Sequence, residues 1–323
     1  MRKRKIWENF LQWILPGVLL VIALVLSIYD FNNKMEIAIQ TVVDDQAEQI
    51  GLYYVAGVED KLKALGNITD AVASIMAGRL DRGEAFLNEK LDTLMKASDA
   101  YMVVYCATNG TGFLNDRRQI DMTELNYYDS ILGETPHYLF ARTDGINGQT
   151  AFIYVCPITN SGNVNGYLLS YMEPAEMSDL FENSVYGDRA FFSLVDRNGT
   201  IMACYGATQG TKILQNDFWN SLKEVAESLG SWTLFDRQQQ KGDNGILHVN
   251  ENGVGKILCH FPIADTAWNL VVGIDESYLS GIQQSFRGPI VDLIVKISIS
   301  IAAALIVITV INVLVRIKAS EHS

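Results

Sequence analysis

Two long apolar runs, one near each end, constrain this chain more than any other feature. The first, Leu11 to Tyr29, is broken only by Gln12, Pro16, Gly17 and Ser27, and Arg2, Lys3, Arg4 and Lys5 precede it. The second, Ile297 to Val315, carries only Ser298, Ser300, Thr309 and Asn312 as polar residues, and Arg316 and Lys318 follow it. A bilayer needs about 20 apolar residues of helix, and basic flanks mark cytoplasmic ends. The expected layout is a cytoplasmic segment 1–10, a span 11–30, an extracytoplasmic region 31–289, a span 290–315 and a cytoplasmic tail 316–323. A cleaved signal peptide also has a basic head and an apolar body. No small-x-small site follows Tyr29, where Asp30, Phe31, Asn32 and Asn33 stand instead, which favours an uncleaved anchor. Asp292 and Lys296 sit at the outer edge of the second span, where they can snorkel to the interface.

Between the runs the composition is that of an ordinary folded region. Lys and Arg number 25 against 37 Asp and Glu, a net charge of -12. Such a surface disfavours nucleic acid and anionic lipid and mildly favours cationic or zwitterionic ligands. Cys106, Cys156, Cys204 and Cys259 each lie in a strand-like run with no C-x-x-C spacing, so zinc is not expected. Disulfides and buried free thiols both suit them.

Met35 to about Ala77 lacks proline and spaces Ile39, Val42, Val43, Ala47, Ile50, Tyr54, Val58, Leu62 and Leu65 as one amphipathic helix, weakened locally by Gly51, Gly57 and Gly66. A helix this long can pair with a second copy, which makes a homodimer the expected assembly. A second helix is expected over Glu84–Lys96. From Tyr101 the period changes to short β-rich runs, and an internal repeat appears. Tyr101–Cys106 leads into Asn109-Gly110-Thr111 as Phe191–Val195 leads into Asn198-Gly199-Thr200. Ile153–Ile158 is echoed by Ile257–Ile263, and each half closes on a further strand, Val164–Met172 and Trp268–Ile274. The predicted fold is α+β: a helical stalk (31–98) and two tandem PAS-like antiparallel-sheet modules (99–180, distal from the membrane, and 181–277, proximal) between two transmembrane helices. Phe113 to Thr150 reads as a long loop with one short helical candidate, Leu125–Leu132, and loops of that length usually cover a site. In the second half, Asp217–Leu229 reads as a helix and Asp236–Asn244 as a polar hairpin tip.

This order of span, long helix, two modules and span resembles the double Cache sensors, the extracytoplasmic input domains of bacterial chemoreceptors, sensor kinases and cyclic-dinucleotide enzymes. The resemblance covers nearly the whole chain. It rests on Asp121-Met122-Thr123-Glu124-Leu125-Asn126-Tyr127-Tyr128, on Pro157-Ile158 with Gly162 and Gly166, on Val195-Asp196-Arg197-Asn198-Gly199, and on Thr266-Ala267-Trp268-Asn269-Leu270. It implies a small-molecule sensor whose ligand sits in the membrane-distal module. Amino-acid-binding members carry an arginine two residues before the aromatic pair and an aspartate on the final strand. Here Leu125 and Tyr171 stand in those places, which argues against a free amino acid. Arg117, Arg118 or Arg142 could replace the missing arginine from the loop. The residues expected around the pocket are Tyr105, Tyr127, Tyr128, Tyr154 and Tyr171, with Arg118, Arg142 and Asp144 as polar contacts. The same tyrosines also suit packing of the sheet against its helices.

Catalysis has little support. No G-x-S-x-G, H-E-x-x-H or complete phosphate loop is present, and Gly253-Val254-Gly255-Lys256 lacks both the first glycine and the final Ser or Thr of one. His137, His248, His260 and His322 show no ligand spacing, so neither cofactor nor metal is expected. A protein-interaction ectodomain with a filled core is the alternative. Only Arg316–Ser323 follow the second span, so the expectation is either the input part of a longer receptor or a chain that signals to a cytoplasmic partner.

Overall fold

The computed structural model describes residues 2–182, 187–206, 213–214 and 217–321. It divides into two compact units, Met1–Asp45 with Ser277–Ser323, and Gln46–Glu276. Helix α1 (Arg2–Met76) is 75 residues long, and helix α7 (Glu276–Glu321) follows the last strand. Among the described residues one helical stretch, Val291–Ile308, with a mean hydropathy of 2.4, is long and apolar enough to cross a membrane. The side chains of residues 2–21 and Leu24, which carry most of the expected first span, lie outside the described residues.

In the Gln46–Glu276 unit, α1 buries Ala47, Tyr54, Val58, Leu62, Leu65, Thr69, Val72 and Met76, the three- and four-residue spacing of one helix face. The glycines that weaken its propensity are seats for neighbouring side chains. A Cβ on Gly51 would stand 2.0 Å from the Phe261 ring, one on Gly57 would meet Leu180, and one on Gly66 would meet Tyr138 and Tyr154. Helix α2 (Glu84–Ala97) follows and buries Leu87, Leu91 and Leu94.

The distal sheet contains β1 (Met102–Ala107), β2 (Thr111–Leu114), β3 (Gln119–Asp121), β4 (His137–Ala141), β5 (Ala151–Asn160) and β6 (Asn163–Met172), with the one-turn helix α3 (Tyr128–Ile131) between β3 and β4. Its order is β3-β2-β1-β6-β5-β4, antiparallel throughout. Helix α4 (Ser178–Glu182) leads to the proximal module, which contains β7 (Ala190–Asp196), β8 (Ile201–Gly206), helices α5 (Phe218–Val225) and α6 (Leu229–Lys241), then β9 (Gly245–Glu251), β10 (Val254–Pro262) and β11 (Trp268–Asp275). Its order, β8-β7-β11-β10-β9, repeats the order β2-β1-β6-β5-β4 of the first, so the internal repeat is a repeat of topology.

Three local expectations are corrected. Asp236–Lys241 is not a hairpin tip: it completes α6, capped by Ser228 at one end, buried through Trp232 and Phe235, and ended by Gly242 in the left-handed conformation. Its polar Gln238-Gln239-Gln240 run hides a helix held by those two aromatics. The long loop of the first half contains two strands, β3, paired with β2, and β4, paired with β5 from His137↔Val155 to Ala141↔Ala151. The helical candidate Leu125–Leu132 shrinks to α3, preceded by a turn at Met122–Glu124.

Both sheets turn one face to α1. In the distal sheet that face carries Phe152, Tyr154 and Ser170. The Ser170 hydroxyl lies 2.7 Å from that of Thr69, and Tyr154 donates to Asp70 at 2.9 Å and 3.0 Å. In the proximal sheet Phe192 packs on Tyr54 and Phe261 sits over Gly51. The opposite faces are covered differently. Phe218, Leu222, Trp232 and Phe235 of α5 and α6 fill the proximal side, whereas irregular chain with α3 covers the distal side.

Candidate functional site

The distal cover leaves a cleft of about 500 Å³, lined by Arg118, Ile120, Asp121, Glu124, Leu125, Asn126, Thr143, Gly145 and Ile146. Its walls are two short segments, 118–126 after β2 and 143–146 in the connection of the β4–β5 hairpin. The volume falls within the roughly 300–1,000 Å³ of small-molecule sites.

The β2–β3 turn fixes Arg118. Arg117 adopts the left-handed conformation (φ 76°), uncommon for a side chain of its size, and its guanidinium donates to Asp92 of α2 at 2.7 Å. Leu114 and Arg118 close the turn, the Leu114 N–H donating to the Arg118 carbonyl at 3.0 Å. Arg118 then reaches along the cleft: its Nε donates to Asp116 at 2.6 Å and its Nη2 to the Asn147 side chain at 3.0 Å. The half-exposed Arg118–Asp116 pair contributes little to stability, but it leaves the carboxylates of Asp121 and Glu124 to set the sign of the lining. Thr123 donates to Asp121 from both its backbone N–H (2.9 Å) and its hydroxyl (2.6 Å), which holds that carboxyl below its ordinary pKa.

Asp144 organises the second wall. It is wholly buried; its Oδ1 accepts from the backbone N–H groups of Ile146 (2.9 Å), Asn147 (2.8 Å) and Gly148 (2.8 Å), and its Oδ2 accepts from the Tyr101 hydroxyl at 2.8 Å. Burial alone would raise its pKa, but the Tyr101 hydroxyl and the three N–H groups outweigh it and hold the carboxyl below the usual range. Tyr127 donates to the Asp144 carbonyl at 2.6 Å and lies 3.3 Å from the Tyr171 hydroxyl. Burial pushes Tyr127 up to about 12 and Tyr171 well above its ordinary value, so both remain neutral donors.

The expected site residues therefore separate into groups. Arg118 lines the cleft. Tyr127, Tyr171 and Asp144 form a buried polar cluster behind its second wall, with Tyr171 filling the interior. Tyr128 lies partly buried at α3 against the same core. Arg142 is exposed, and its carbonyl accepts from Thr150. The structure does not bring Tyr105 and Tyr154 to the cleft. Tyr105 donates to the Asn165 carbonyl and packs on Phe113, and Tyr154 faces Asp70 of α1 on the other side of the sheet. Asp121, Glu124, Asn126 and Thr143 escaped the sequence reading. They flank Leu125 and Asp144 within the segment already singled out, but short polar residues there read equally as solvated loop.

No family model and no curated protein matches the chain by sequence. Solved structures do match in fold. The ligand-binding domain of the Pseudomonas fluorescens chemoreceptor CtaA, in complex with L-isoleucine, superposes with a TM-score of 0.58 at 15% identity, covering 76% of this chain and 97% of that one. The sensory domain of the Campylobacter jejuni chemoreceptor Tlp3, with isoleucine bound, gives 0.55 at 16% identity over 75% and 95%. The extracellular domain of rpHK1S-Z16 gives 0.57 at 14% identity over 75% and 98%. The chain has the two-module fold of these sensory domains.

Proposed function

We propose that the chain is a membrane-anchored sensor that binds a small molecule in the distal cleft, with residues 31–289 outside the cell and spans at 11–30 and 290–315. One observation carries the reading: the distal sheet face is left with a charged cleft of ligand size, while the equivalent proximal face is filled by Phe218, Leu222, Trp232 and Phe235. The CtaA and Tlp3 domains of the same fold are described with isoleucine bound, which supports a small ligand here. Arg118, Asp121, Glu124, Asn126 and Thr143 are its polar contacts, Ile120, Leu125 and Ile146 its apolar wall, and Asp144, Tyr127 and Tyr171 position that wall. Because Asp116 already neutralises Arg118, the lining favours a ligand with a cationic amine, alone or in a zwitterion. Two copies pair through the exposed face of α1, where Leu52, Tyr53, Ala56, Ala64, Ala71 and Ile75 recur, and a cytoplasmic partner or output segment reads the second span.

The test is a thermal-shift screen of the full chain in detergent against amines, amino acids, carboxylates and sugars. A ligand at 100 times its Kd stabilises by about 2.7 kcal/mol. The expected result is an amine-bearing hit whose shift is lost in Glu124→Ala. A screen with no hit, or a hit indifferent to both Glu124→Ala and Arg118→Ala, refutes the cleft as the site.

A further inference from the structure

The loop that forms the second wall of the cleft, residues 142–150, is also the connection between β4 and β5. Those two strands carry the aromatic side chains that meet the proximal module. Phe152, the second residue of β5, lies with its ring centroid 5.2 Å from Trp268, and Tyr138 of β4 lies 6.2 Å from it. Phe140 packs on Phe152 and Tyr154 on Tyr138, so the hairpin presents one continuous aromatic face. Tyr138 is further fixed by donating to the Leu62 carbonyl of α1 at 2.8 Å. On the receiving side Trp268 is 6% exposed and is the first residue of β11, whose last residue, Asp275, directly precedes α7.

We propose that Trp268 is the residue through which the proximal module reads the distal cleft: movement of the 142–150 loop shifts Phe152 and Tyr138, and their contact with Trp268 passes the shift into β11. The inference rests on the cleft being the ligand site, but its test needs no ligand. Close packing makes such a relay effective, because a displaced ring in a dense interior has nowhere to go without moving its neighbour.

Hydrogen exchange of the full chain in detergent micelles tests it as a double-mutant cycle. Asp144→Ala frees the cleft loop by removing the acceptor of three backbone N–H groups. Exchange is then followed at the β11 amides, in the native background and with Trp268→Ala. The expected result is that Asp144→Ala speeds exchange in β11 by about fivefold or more, and that Trp268→Ala abolishes this response while the loop itself still exchanges faster. Where Trp268→Ala strips the proximal sheet of protection altogether, Phe152→Leu cuts the same contact from the distal side. A β11 response that is absent in the native background, or unchanged by cutting the contact, overturns the proposal. Because no ligand enters, that outcome leaves cleft binding standing, and an empty ligand screen leaves a positive coupling result standing.

Discussion

His260 provides a test of the proximal core that pH alone can apply. It stands on β10, between β9 and β11, with no exposed surface and neither ring nitrogen hydrogen-bonded. Phe235 meets its ring edge-on at 4.5 Å, Trp219 lies at 6.3 Å, and Gly245 opposite it leaves the space the ring occupies, shared with the Gln238 amide. These neighbours are all uncharged. Burial drives the pKa of His260 down from 6.5 to about 4, against a weaker opposing pull from the Phe235 backbone. The unfolded chain therefore takes up this proton near pH 6.5 and the folded one only near pH 4, so between those values the unfolded state binds more protons and stability falls with falling pH. The contribution is fully present above pH 6.5; about 2 kcal/mol is gone by pH 5 and about 3 kcal/mol by pH 4. Urea unfolding of the full chain, followed by tryptophan fluorescence at pH 7 and pH 5, measures it. His260→Leu should lose about 2 kcal/mol less than the native chain between those two values, because every other titratable group is common to both proteins and cancels. Equal losses in the two proteins would refute an uncharged, unpaired His260.

Gly51→Ala places a methyl group 2.0 Å from the Phe261 ring, and overpacking of this kind costs about 1–3 kcal/mol; a lowered Tm partly restored by adding Phe261→Leu is the expected result. Thr69→Val strands the Ser170 hydroxyl in the interface between α1 and the distal sheet, at a cost of about 1–3 kcal/mol. Thr69→Val with Ser170→Ala should recover most of it in the same denaturant assay. Arg118→Ala, whose side chain is half exposed, should shift unfolding by no more than about 0.5 kcal/mol while weakening any ligand-induced stabilisation.

The two-module plan was legible because its signals are local. Asn-Gly turns at Asn109-Gly110 and Asn198-Gly199, apolar strands after them, and the unbroken 3.6 period of α1 each fix a short stretch of backbone whatever surrounds it. Which face a strand residue uses was not legible. β5 and β6 are buried on both sides, so Ile153 and Tyr154 look alike in sequence although one faces the cleft side of the sheet and the other α1. Tyr105 and Tyr154 were grouped with Tyr127 and Tyr171 for that reason. The role of Asp144 was hidden too, since nothing in a Thr-Asp-Gly string shows that its carboxylate accepts three N–H groups of its own loop. The seats at Gly51, Gly57 and Gly66 read as weak points because helix propensity counts only the helix, and their partners Phe261, Leu180 and Tyr138 lie far along the chain.

Those three glycines also limit how α1 can move. At about 100° per residue, Gly57 points roughly 240° and Gly66 roughly 60° around the axis from Gly51. Phe261, Leu180 and Tyr138 thus enter the helix from different directions and at different heights, as pins enter the barrel of a lock. Turning α1 by a single residue step would withdraw every pin from its socket and drive each against a neighbouring side chain. Spinning about its axis is the one motion this helix is keyed against within the Gln46–Glu276 unit; tilting or sliding together with β4, β10 and α4, which hold the pins, remains open to it.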